Sequence, residues 1–102
     1  MMCAVTIRSI KPGSFDAFRE AWEPDPWPSE LQRVVISRSD EDPDQVLTVS
    51  YFDLDPEALE AVRDDTSRLA AEEARLHRVA EHVDQIVFKG IFRAVEELEA
   101  PR

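Results

Sequence analysis

The stretch of sequence that decides the fold is residues 86–95, IVFKGIFRAV. In a β-strand, successive side chains point to opposite sides of the sheet. One side of this strand then carries Ile86, Phe88, Phe92 and Ala94, and the other side carries Val87, Ile91 and Val95. Because both sides are apolar, the sequence predicts a strand whose two faces must both be covered.

The length of the chain limits how that cover can be supplied. A chain of 102 residues forms one domain, residues 1–102, with helices enough for only one face of a sheet. The second face must then meet another subunit. The sequence therefore predicts a homodimer whose two sheets pack face to face.

Composition excludes several classes of function. A formal charge of −10 argues against nucleic acid, whose binding needs clustered Lys and Arg, and against an anionic membrane surface. No apolar run approaches the ~20 residues that span a bilayer, and the N-terminal residues lack the pattern of a signal peptide. The single cysteine, Cys3, allows no internal disulfide. We expect a cytoplasmic protein that binds a small molecule.

Periodicity and turn residues predict the order strand, helix, strand, strand, helix, strand. The predicted strands cover residues 3–10, 31–39, 45–52 and 85–96. Ser14 is expected to cap the first helix, which three prolines end after Trp22, and Asp55 to cap the second helical region. Residues 64–67 favour a break within that region.

Two apolar stripes are predicted on the helices. The first helix places Phe15, Phe18 and Trp22 on one side. The second helical region repeats apolar residues at three- and four-residue steps, which are Leu59, Val62, Thr66, Leu69, Leu76, Ala80 and Val83. By contrast, Glu72, Glu73, Arg75 and Arg78 are typical of an exposed helix face with weak ion pairs.

The predicted order is that of an α+β, ferredoxin-like βαββαβ fold with an antiparallel sheet. The chain also resembles the antibiotic biosynthesis monooxygenase-like family of the dimeric α+β barrel superfamily. The resemblance is carried by the first strand leading into IKPGSF at residues 10–15, by the acidic-proline hairpin SRSDEDP at residues 37–43, and by the aromatic strand end VSYFD at residues 49–53. It implies a homodimeric α+β barrel.

The resemblance also implies a function. Members of the family include cofactor-independent monooxygenases, which oxidise phenolic aromatic substrates without metal or flavin and typically use an Asn, a Trp and a Tyr in the pocket. This chain contains no asparagine, and its sequence indicates no catalytic base. The alternative is a non-catalytic ligand-binding or structural dimer of the same fold.

Four residues are candidates for lining a substrate pocket. Trp22 and Trp27 flank a proline-rich segment and would hold a planar substrate, or else Trp22 is core and Trp27 a plug that fills the pocket. Tyr51 would donate a hydrogen bond to a phenol or quinone, or else lie at a rim with its hydroxyl in water. His77 is the fourth candidate.

His77 and His82 also raise a third function, haem binding. Haem-degrading relatives carry a histidine on the corresponding helix, so either residue is a candidate axial ligand, with a partly exposed helix histidine as the alternative. The two residues lie on different helix faces and cannot share one metal ion. The alternating Asp40, Asp42 and Asp44 lack the glycine and terminal glutamate of a calcium loop, so no metal site is predicted.

Overall fold

A computed structural model describes residues 1–101, except for the side chains at positions 56, 59, 62 and 63. Its elements are β1 (Met2–Ile10), α1 (Phe15–Trp22), β2 (Leu31–Arg38), β3 (Gln45–Phe52), α2 (Pro56–Arg63), α3 (Thr66–Ala80) and β4 (Val83–Arg93). Among the described residues, no helix combines the length and the apolar character that crossing a membrane requires. The predicted order of elements is confirmed, and the second helical region is divided into α2 and α3.

The four strands form one antiparallel sheet in the order β2-β3-β1-β4. β1 therefore lies between β3 and β4, and the acidic turn of residues 40–44 joins the adjacent strands β2 and β3 into a hairpin. This topology confirms the ferredoxin-like α+β fold. The last strand ends at Arg93, three residues before the predicted end at Glu96.

The helices cover one face of the sheet only. The buried strand residues are Met2, Arg8, Ile10, Val46 and Thr48, and all of them lie on the helix-covered face. The opposite face carries no buried residue within the described part of the chain, although most of its side chains are apolar. We call it the open face, and it consists of Cys3, Val5, Ile7, Ser9, Arg33, Val35, Ser37, Gln45, Leu47, Val49, Tyr51, Gln85, Phe88, Gly90 and Phe92.

A β-bulge in β4 changes the predicted distribution of its side chains. Phe88 pairs with Ile7, but the next residue of β1, Arg8, pairs with Ile86, so Val87 is an extra residue. Because a bulge breaks strict alternation, Ile86 lies on the helix-covered face and not beside Phe88 as predicted. Phe88 and Phe92 remain together on the open face, with their rings stacked 5.9 Å apart.

The core occupies one end of the helix-covered face. Ile10, Phe18, Trp22, Val46 and Val79 pack together there, which confirms the stripe predicted for α1. The stripe predicted for the second helical region is confirmed only in part. Val83 packs against the core, but the buried residue of α3 is Val79, which the stripe did not include, and Leu69, Leu76 and Ala80 are exposed. Leu59 and Val62 lie outside the described side chains.

Local hydrogen bonds account for the helix starts. Asp55 Oδ1 accepts from the Ala58 amide at 2.7 Å, as predicted for a cap. Asp65 caps α3 by accepting from the Ser67 and Arg68 amides. The hydrogen bond from the Ser67 hydroxyl, followed by those from the Arg68 and Ser67 amides, lowers the pKa of Asp65. Ser14 does not cap α1. Its hydroxyl instead donates to the Lys11 carbonyl at 2.6 Å, because the tight turn before α1 brings that oxygen within reach.

The turn between β1 and α1 depends on Gly13, whose φ is +73°. A side chain costs roughly 1–2 kcal/mol in this left-handed region. We therefore expect Gly13→Ala to lower the free energy of unfolding by about 1 kcal/mol or more, measured by urea denaturation. Gly13→Asn is the control, because asparagine tolerates this conformation better and should lose less stability. Equal losses in both variants would contradict this explanation.

Candidate functional site

A cavity of about 620 Å³ occupies the other end of the helix-covered face. Its floor includes Ala4, Ser50, Phe52 and Ile91, which come from β1, β3 and β4. Ala4 and Ser50 are paired across the sheet, and both side chains are small. The space exists because these short side chains face the N-terminal half of α3, which supplies one wall without filling the gap.

The proline-rich segment, residues 24–30, forms the outer wall of this cavity. Trp22 precedes it and is buried, whereas Trp27 lies within it and is half exposed. The two indole rings are 6.3 Å apart and tilted by 60°. A second cavity of about 380 Å³ lies on the other side of this pair and shares Trp22, Trp27 and Leu31 with the first. The tryptophan pair therefore separates two cavities.

One ion pair fastens the proline-rich segment to α3. Glu30, with 10% of its side chain exposed, accepts a hydrogen bond from the Arg68 guanidinium. Both residues line the large cavity. Removing the partner of a mostly buried carboxylate lowers the stability of a protein more than removing the partner of an exposed one. This pair therefore holds the outer wall close to the helix.

Arg75 joins the wall of α3 to the tryptophan pair. Its Nη1 donates to the Trp22 carbonyl at 2.7 Å, and its Nε and Nη2 donate to the two carboxylate oxygens of Glu72 at 3.0 and 2.5 Å. The guanidinium also lies 5.0 Å from the centre of the Trp22 ring. The side chain is only 11% exposed. The exposed helix face is thus confirmed for Glu72, Glu73 and Arg78 but corrected for Arg75, because α3 turns Arg75 inward toward the cavity.

Arg8 is a buried cation beside this site that the sequence did not single out. Only 6% of the residue is exposed, its Nη1 donates to the Thr48 hydroxyl at 3.2 Å, and its guanidinium lies 5.7 Å from the centre of the Phe18 ring. Burial lowers the pKa of Arg8, the nearby positive charge of Arg75 lowers it further, and Glu72 raises it. The one available signal was its position on the same strand face as Ile10.

Two of the four predicted pocket residues do line the large cavity, and two lie elsewhere. Trp22 and Trp27 line it, and Trp22 is also a buried member of the core, as its alternative interpretation had it. Whether either residue binds a substrate stays a prediction. Tyr51 lies on the open face, where the Arg33 guanidinium sits 4.6 Å from its ring centre, because strand alternation directs it away from the helices. This corrects its expected position.

His77 also lies outside the cavity. It is exposed on α3, with Nε2 4.0 Å from a Glu73 carboxylate oxygen, because α3 turns Arg75 and Val79 toward the sheet and leaves His77 on its outer side. His82 follows the end of α3, and its carbonyl accepts a hydrogen bond from the Lys11 amide. Neither histidine is among the residues that line the two cavities, so the haem hypothesis gains no support from their positions.

The fold is similar to several solved structures. A candidate antibiotic biosynthesis monooxygenase from Chloroflexus aurantiacus gives a TM-score of 0.68 at 16% identity, over 96% of each chain. One from Nitrosomonas europaea gives 0.66 at 17% identity, over 94% of this chain and 100% of that one. SnoaB, a cofactor-independent oxygenase from Streptomyces nogalater solved as an asparagine-to-alanine variant, gives 0.67 at 12% identity, over 97% of each chain. The predicted resemblance is thus confirmed in the fold.

These similarities concern the fold, since no protein-family model and no curated protein sequence matches the chain. Among the three structures compared, the sequence identity to this chain is at most 17%. A shared fold hosts many functions, so the function must be argued from the cavity itself.

The ion pair at the outer wall provides a direct test of how the cavity is closed. We expect Glu30→Gln to lower the free energy of unfolding by about 1–2 kcal/mol and to accelerate amide hydrogen exchange in residues 24–30, because the segment loses its link to Arg68. Glu23→Gln is the control, since the Arg19–Glu23 pair is exposed on both sides and should change stability by less than about 0.5 kcal/mol. Equal exchange rates in the two variants would contradict the role of Glu30.

Proposed function

We propose that the protein binds a planar aromatic molecule in the large cavity and oxidises it as a cofactor-independent monooxygenase. The observation that carries the proposal is the cavity beside the Trp22–Trp27 pair, in a fold shared with candidate monooxygenases and with the cofactor-independent oxygenase SnoaB. A volume of about 620 Å³ lies within the usual range for small-molecule sites.

The reaction class makes modest demands on the protein. A phenolic substrate with an activated CH₂ group is deprotonated and gives its electrons to O₂. The carbon gains one oxygen atom as a carbonyl, and its two hydrogens leave with the second oxygen atom as water. All four electrons that O₂ takes up come from the substrate, so the cavity has to bind, orient and desolvate it.

The cavity residues suit these tasks. The indole rings of Trp22 and Trp27 offer flat apolar surface, and Phe52, Leu54 and Ile91 add to it from the sheet side. Aromatic surfaces hold planar ligands at little cost in conformational entropy. The proline-rich segment then separates the bound molecule from water.

A second candidate function is a ligand-binding dimer of this fold without catalysis. The absence of asparagine from the chain favours it, because the family's oxygenases typically use that residue. Both candidates require the same occupied cavity. They differ only in whether O₂ is consumed.

Oxygen uptake with dihydroxyanthrones, which carry the activated CH₂ group, distinguishes the two. For the enzyme we expect uptake above the buffer rate, with loss of at least about tenfold in Ala4→Leu, because a larger side chain on the cavity floor displaces the substrate. Ala70→Leu is the matched control on an exposed position of α3 outside the cavity and should keep the rate. Uptake equal to buffer for every substrate would favour the non-catalytic candidate.

We also propose that a second copy of this chain covers the open face. Phe88 and Phe92 are 42% and 48% exposed there, and Val35 is 40% exposed beside half-buried Val49 and Leu47. A continuous apolar sheet face of this kind marks an interaction surface. An identical face on a second copy matches it in size and polarity, as an isologous dimer requires.

The dimer has a simple test. We expect native mass spectrometry to show a dimer for the unaltered protein and a monomer for Phe88→Lys, because a lysine within an apolar interface would be buried without a partner. Leu76→Lys is the control, since Leu76 is an exposed apolar residue on α3, which packs on the other face of the sheet. A monomer for the unaltered protein would overturn the proposal.

A further inference from the structure

We infer that the molecule bound in the large cavity is an aromatic carboxylate, selected by the excess positive charge of Arg8 and Arg75. The inference rests on the proposed function, because it names the class of ligand that the same cavity takes. It starts from the charges that surround the cavity.

The lining of the cavity contains equal numbers of cations and carboxylates. They are Arg68, Arg75 and Arg78, and Asp25, Glu30 and Glu72. Two of these carboxylates are already used, since Glu30 pairs with Arg68 and Glu72 with Arg75. Asp25 lies exposed on the proline-rich segment. The lining by itself therefore shows no strong preference for either sign of charge.

Arg8 changes this balance. It is 6% exposed, and no carboxylate lies within 4 Å of its guanidinium in the described part of the chain. Arg8 does not itself line the cavity, but its charge acts on Arg75 and Glu72, which do. Two cations therefore share one carboxylate at the cavity wall. Arginine remains charged at any ordinary pH, and a buried charge without a partner is costly. A ligand that brings one negative charge would offset that cost.

Arg75 also has N–H groups that its hydrogen bonds to Glu72 and Trp22 do not use. Its bonds to Glu72 and to the Trp22 carbonyl use three N–H groups, and a guanidinium has five. The two that remain can donate to the oxygens of one carboxylate. Because Arg75 also lies against the Trp22 ring, a carboxylate at this position places an attached aromatic ring near the tryptophan pair.

The charge on the ligand has to be permanent. Arg8 and Arg75 are positive whether or not the site is turning over, whereas a free phenol with a pKa near 10 is neutral at pH 7. A carboxylate is ionised at that pH. The net charge of the protein is −10 and repels anions at long range, so the recognition must come from these two buried cations within about a Debye length of ~8 Å.

The test compares two ligands of the same shape by isothermal titration calorimetry. They are 2-naphthoate, which carries a carboxylate, and 2-naphthamide, which is neutral. We expect 2-naphthoate to bind the unaltered protein at least about tenfold more tightly, in line with hydrogen bonds to a charged group. Equal affinities would overturn the inference and leave the proposed site intact. Failure of both ligands to bind would overturn the proposed site as well.

Variants then assign the preference to the two arginines. We expect Arg8→Gln to remove most of the preference for 2-naphthoate while leaving 2-naphthamide affinity unchanged, and Arg8→Lys to restore it. Arg75→Gln should act in the same direction and provides the answer if Arg8→Gln does not fold. Lys11→Gln is the control, because it removes one exposed positive charge outside the cavity. A preference that falls equally in Lys11→Gln would contradict the role of the buried pair.

Discussion

The rest of this structure depends on one constraint, which is that helices cover only one of the two faces of the sheet. Helices α1 and α3 lie on one face of a four-stranded sheet, and none of the described residues buries the apolar side chains of the other face. Burial of apolar surface is the main stabilising contribution in a protein of this size. The arrangement therefore couples the stability of the domain to whatever lies against the open face.

The covered face is divided into a packed end and an open end. At one end Ile10, Phe18 and Val46 fill the space completely, whereas at the other end Ala4 and Ser50 leave it open. The packed end fixes the positions of α1 and α3, and so holds the walls of the open end. A rigid core beside a preformed cavity is the usual way in which small domains combine stability with binding.

Charge gives the cavity its individual character. Arg75 holds Glu72 and the Trp22 carbonyl together, and Arg8 lies buried next to them without a carboxylate partner in the described residues. A region built only for stability would favour apolar side chains in these places. In the function we propose, these cations select the ligand, and the aromatic pair provides the surface on which it lies.

The sequence by itself determined the order of the elements, the hairpin, the stripe on α1 and the two apolar faces of β4, because local periodicity and turn residues encode these features. Only the tertiary structure decided which side of α3 faces the sheet. It therefore decided that Arg75 points toward the cavity and that His77 lies on the exposed side of the helix. It also decided that Tyr51 belongs to the open face and that a bulge moves Ile86 to the covered one. The physical reason is that the helix phase and the strand register depend on contacts between residues far apart in the sequence. A local sequence pattern does not identify these contacts.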